Sequence, residues 1–146
     1  MKTQMKPPTL LRVLVVLCLA ACTPPVATRL DSTIVVAPVR PAPWPTAEIA
    51  PPDAPPVIKK IWLSNLHLRE GSSINGTIVT STNVASVEVR TATFSINVPR
   101  SSFGQFGFHL KVLVFPPLLK HTYPLLIIAR NTAGVAETKT AYLVVE

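Results

Sequence analysis

The chain has 146 residues, 16 of them proline and 2 of them cysteine, and carries a formal net charge of +7. That length leaves room for one modest folded domain of about ninety residues plus an extended segment. The charge is scattered, with Lys59-Lys60 the sole adjacent pair of cations; the clustered basic face of a nucleic-acid binder is missing, so no nucleic-acid partner is expected.

The chain opens with Lys2, Lys6 and Arg12, followed by an apolar run over residues 13–19 and the small pair Ala20-Ala21. This basic, apolar, small order is that of an export leader. The run is about half the length a membrane-spanning helix needs, and Thr23-Pro24-Pro25 ends any helix there. Leu19-Ala20-Ala21-Cys22 resembles the lipobox of bacterial lipoproteins. The resemblance implies cleavage of residues 1–21 and acylation of the Cys22 thiol, which becomes the first residue and holds the protein to a lipid bilayer. A thiolate is the one side-chain group nucleophilic enough to take the diacylglyceryl group. Thr23 after that cysteine resembles outer-membrane rather than inner-membrane retention signals, so the expected location is the cell envelope, at the outer membrane in a host with two membranes. With Cys18 in the leader and Cys22 at the lipid, the folded part has no disulfide and no thiolate metal site.

Ten of the residues over 23–56 are proline. That density predicts a disordered or polyproline-like tether over 22–56, reaching on the order of 100 Å if fully extended and about 30 Å as a coil. Two apolar features interrupt it. Val35-Val36 has the composition to add a strand to a sheet edge, and Trp44 either docks in a partner's aromatic groove or leans on the nearby domain.

From Val57 the composition turns β-branched and aromatic with period-two alternation, which predicts an all-β antiparallel sandwich of about seven strands over 57–146. Strands are expected over 57–63, 73–79, 84–90, 93–98, 106–114, 123–129 and 135–145. Gly76 marks a bulge or close backbone approach; Asn75-Gly76 also fits a hairpin turn, but the strand reading puts Ile74, Ile78 and Thr80 on one face. Val87 and Val89, then Phe94, Ile96 and Val98, then Phe106, Phe108, Leu110, Val112 and Val114 are the inward residues of the middle strands. Pro116-Pro117 ends the fifth.

Tyr123, alternating apolar residues to Ala129, then Asn131 and Gly134 resemble strand F and the F–G turn of fibronectin type III and bacterial immunoglobulin-like domains. The resemblance implies a corner hydrogen bond for Tyr123, core positions for Leu125, Ile127 and Ala129, and a positive-φ turn at Gly134. The tryptophan that fibronectin type III domains carry on strand B is absent, its place taken by residues 74–79, so the bacterial immunoglobulin-like branch is the better match.

The residues that chemistry would need are not grouped. There is no Asp beyond Val57, and Glu70, Glu88, Glu137 and Glu146 are far apart, which argues against calcium. His67, His109 and His121 lack zinc-site spacing. Gly71-Ser72-Ser73-Ile74-Asn75 does not complete a nucleophile elbow, and Asn75-Gly76-Thr77 fits a glycosylation sequon that has no expected use in a bacterial lipoprotein. No enzymatic activity and no cofactor are expected. The function expected is a membrane-anchored, non-enzymatic module that binds an envelope protein or surface polymer; the alternative is an accessory or positioning subunit of a secretion, pilus or polysaccharide assembly. In an immunoglobulin-like sandwich the B–C, D–E and F–G connections meet at one end, here 81–83, 99–105 and 131–132. The candidate partner-binding residues are therefore Asn83, Arg100, Phe103 and Asn131, with two rivals: Phe103 folded back as a plug, and binding by a sheet edge.

Overall fold

A computed structural model of the protein describes residues 30–112 and 120–146. The leader, Cys22, Thr23, Val114 and Pro116-Pro117 lie outside the described residues. Ten strands are formed and no helix appears among the described residues: β1 Ile34–Val36, β2 Ile58–Leu63, β3 His67–Leu68, β4 Ser73–Thr80, β5 Val84–Arg90, β6 Ser95–Val98, β7 Arg100–Ser102, β8 Gln105–Lys111, β9 Thr122–Asn131 and β10 Ala136–Val145.

They pack as two five-stranded sheets, ordered β1-β2-β4-β8-β7 and β3-β10-β9-β5-β6. The chain lays β1 and β2 in the first sheet, touches the edge of the second with the short β3, returns for β4, crosses for β5 and β6, returns for β7 and β8, and crosses again for β9 and β10. This is the connectivity of an immunoglobulin-like sandwich. Each long strand alternates because one face is wet and the other meets the opposite sheet. Ile61, Ile78 and Phe106 from the first sheet interleave with Val87, Val89, Leu125, Ile127, Ala129 and Leu143 from the second. The Asn75-Gly76 step lies inside β4, opposite Phe108 of β8. A Cβ on Gly76 would collide with the Phe108 ring, so the close approach read from the sequence is the reason for glycine there. Gly134, in the turn before β10, has φ +82°.

The expected strand over 93–98 begins later. The Thr91 hydroxyl accepts the Thr93 and Phe94 amides at 3.2 and 3.3 Å, and Thr91 N donates to the Phe94 carbonyl at 2.8 Å. This local side-chain turn holds the backbone out of the ladder until Ser95. Phe94 is consequently 39% exposed rather than inward, while Val98 is buried.

A larger correction concerns the Pro-rich stretch, whose described part, residues 30–56, lies on the sandwich. Ile34, Val35 and Val36 pair in parallel with Ile61, Trp62 and Leu63, and Ile34 joins the core at 7% exposure. Trp62 Nε1 donates to the Ala37 carbonyl at 2.8 Å. Asp31 closes the turn into β1, accepting from Thr33 N and Thr33 Oγ1 at 2.9 and 2.8 Å, and pairs with Lys139 of β10 at 3.2 Å. Lys139 also meets Glu137 at 3.5 Å, and the Glu137 carboxylate accepts the Ile58 N–H, tying the second sheet to β2 of the first. The folded unit therefore starts ahead of Val57. Proline forbids ladder donation only where it sits, and residues 30–37 contain none. Trp44 is half-buried, with Arg40 5.8 Å from its ring and its indole N–H without an acceptor among the described residues.

The Asp31 anchor is acid-labile. Hydrogen bonds from Thr33 and then from Lys139 lower its carboxyl to about 2, and Lys139 is raised by the same pairing. Because the folded value lies below the unfolded carboxyl near 3.9, the stabilisation is complete above about pH 4 and is lost as pH falls through about 2. Amide protection factors at Ile34 and Ala37, taken relative to unfolded-peptide exchange at the same pH, should fall on going from pH 5 to pH 2 before that of Ile127. Asp31→Asn should remove most of that pH dependence; an unchanged profile would contradict the role of the pair.

Candidate functional site

Four segments meet at one end of the sandwich: the β4–β5 turn at 81–83, the β7–β8 hairpin tip at 103–104, the β9–β10 turn at 132–135, and residues 47–57 crossing over them. The crossing is held by backbone bonds of Thr82 N to Glu48 O and Ser81 N to Val57 O, both 2.8 Å, and of Ala50 N to Thr82 Oγ1 at 3.0 Å. Lys59 holds Glu48 at 2.6 Å, which keeps that exposed carboxyl below its ordinary range. Gly104, with φ +64°, backs onto Ala47 so closely that a Cβ would strike it.

The structure divides the four candidate residues. Asn83 and Asn131 both spend their side-chain amide on the Ala54 carbonyl, at 2.6 and 3.0 Å. Asn83 Oδ1 accepts from Ser81 Oγ at 2.6 Å, Asn131 Oδ1 accepts from Val135 N at 2.9 Å, and Asn131 is 4% exposed. Asn131 is thus a clamp for the crossing segment; the physical reason is that an unpaired carbonyl over the sandwich end needs buried donors. Asn83 does the same while lining the surface.

Arg100 bridges the two sheets. From β7 its Nη2 donates to the carbonyls of Val84 and Ala85 at the start of β5, and its guanidinium carbon lies 5.3 Å from the Phe106 ring centroid and 5.9 Å from that of Phe103. The cation rests on two aromatic faces, a favourable placement for a planar guanidinium. Phe103 does not plug the sandwich: it stands 71% exposed at the hairpin tip.

Beside it runs an open groove of about 500 Å³ whose walls include Ala50, Pro52, Asn83, Arg100, Phe103 and Thr132. Ala50 and Pro52 were not readable as wall residues, because a proline-rich stretch has no period that says which surface it lies on. Ile49 next to them is 91% exposed. The groove offers an apolar ring face and prolyl and alanyl surface, with Thr82 and Thr132 also on its wall. Such a mixture can stack and pack against a partner.

The histidines stay apart: His67 faces Glu146 at 3.0 Å, His109 faces Asn75 at 2.7 Å, and His121 lies edge-on to half-buried Tyr123 at 5.7 Å. Among the described residues no three His, Cys, Asp or Glu gather. Compared with known proteins, the chain matches no family model and no curated protein.

Proposed function

We propose that the chain is a lipid-anchored envelope module that binds a protein or surface polymer through the Phe103 end of its sandwich, without catalysis. The anchor is Cys22, acylated as the Leu19-Ala20-Ala21-Cys22 sequence implies. The observation that carries the binding reading is Phe103 itself. A hairpin tip fixed by Gly104 holds a phenylalanine in solvent, with a guanidinium on the ring and a groove alongside. An aromatic ring left in water at a rigid position gains free energy by being covered, and aromatic and arginine residues dominate measured binding energies.

The test is the affinity of Phe103→Ala for the partner recovered by crosslinking from membranes. Since the ring makes no core contact, the melting temperature should be unchanged, while affinity falls about tenfold to a hundredfold, corresponding to roughly 1.4 to 3 kcal/mol. Full retention of affinity would overturn this assignment. Arg100→Ala is the poorer probe, because it also unties β7 from β5.

A further inference from the structure

Of the five glycines, Gly71, Gly104 and Gly134 have positive φ, and Gly76 lies against the Phe108 ring. Gly107, in the middle of β8, has neither reason: its φ is not positive, and a Cβ there would meet nothing nearer than the Gly76 carbonyl at 3.7 Å. A glycine inside a strand weakens it, and one that the fold does not require marks a place where another molecule approaches the backbone. Phe106 and Phe108 are buried on either side of it, so alternation puts Gly107 on the outer face of the first sheet. Pairing aligns Trp62, Thr77 and Gly107 across β2, β4 and β8, and sets Asn75 beside His109 in the neighbouring row of that face. Together they form an open groove of about 640 Å³ with Trp62, Asn75, Thr77, Pro99, Gly107 and His109 on its walls.

We infer that this groove binds an uncharged glycan chain. Trp62 is fixed by the bond from its Nε1 to the Ala37 carbonyl at 2.8 Å, so what it adds to the wall is ring carbon, a surface on which the C–H face of a sugar packs. His109 Nδ1 and Asn75 Oδ1 are 2.7 Å apart. An amide oxygen only accepts, so the neutral imidazole donates, which leaves His109 Nε2 as an acceptor and Asn75 Nδ2 as a donor; turning the amide over exchanges these roles and still leaves one of each. A sugar hydroxyl, which both donates and accepts, suits that pair. The walls carry no charged side chain, so an ionised ligand would find no counter-charge there. An extended peptide would need the β8 edge, where the Gly107 amide is already given to the Pro99 carbonyl at 3.1 Å. The bare backbone at Gly107 lets a sugar ring lie between the Trp62 and Pro99 walls. The groove is on a sheet face and Phe103 at a hairpin tip, so this site stands or falls separately from the Phe103 end.

The test is calorimetric and NMR titration of the full chain carrying Cys22→Ala with three uncharged oligosaccharides, maltohexaose, cellohexaose and N-acetylchitohexaose, and with hexagalacturonate as the anionic control. At least one of the three should bind saturably and more tightly than hexagalacturonate, with shifts at the Trp62 indole N–H and the Gly107 amide. His109→Ala should weaken that binding about tenfold, as for the loss of one hydrogen bond. Gly107→Val, which raises a side chain from the groove floor, should abolish binding without lowering the melting temperature. Absence of saturable binding by all three, tighter binding of hexagalacturonate, or binding that survives Gly107→Val would overturn the proposal. So would a fall in melting temperature or loss of folding in Gly107→Val, because the glycine would then have a structural reason.

Discussion

Ile34→Asp is expected to destabilise the protein by about 3–5 kcal/mol, because it leaves a carboxylate without a partner at a core position 7% exposed. For a domain of this size that is a fall in melting temperature of about 10 °C or more. The parallel pairing of Ile34 with Ile61 should be lost with it. Limited proteolysis should then cut ahead of Val57 in the variant but not in the parent chain. A tether standing off the domain would give the opposite: a change within about 0.5 kcal/mol, as for ordinary surface substitutions, and the same early cut in both proteins. The experiment therefore separates a structural N-terminal strand from a spacer.

Cys22→Ala should move the protein wholly from the detergent phase to the aqueous phase in a temperature-induced detergent partition. More than one acyl chain on the thiol holds a protein to a bilayer essentially permanently, at about 0.8 kcal/mol per buried methylene, and nothing comparable replaces it. No helix among the described residues is long and apolar enough to cross a membrane. Recovery of the variant in the detergent phase at the parent level would contradict the anchor. Intact-mass measurement of the parent, with the acyl mass on a chain beginning at residue 22, is the complementary reading.

The long strands were legible because each of β2, β4, β5, β8, β9 and β10 has one wet and one dry face, so period two is written into its residues. The strands β1, β3 and β7 have two or three residues each, too few for any period, and they exist through pairing with neighbours already in place. The docking of residues 30–56 was hidden for a related reason. Its bonds run to partners distant in the chain, such as Ala54 to Asn83 and Asn131, and proline content alone cannot distinguish an extended segment in water from one lying on a sheet. Asn83 and Asn131 looked like loop residues offered to a partner; an asparagine that grips another molecule and one that grips its own chain have the same sequence signature. Arg100 and Phe103 were legible as residue types, but the division of labour between them was not. It depends on the carbonyls of Val84 and Ala85 being within reach of β7.

The claim that the Phe103 end is the surface through which this anchored module binds is tested most directly by site-specific photocrosslinking in intact cells. A photoreactive phenylalanine analogue at position 103 is compared with the same group at exposed Thr138 on the β10 face and at Lys120 near the base. A discrete high-mass adduct from position 103, absent from the other two, is the predicted result. Adducts from 138 or 120 with none from 103 would contradict it.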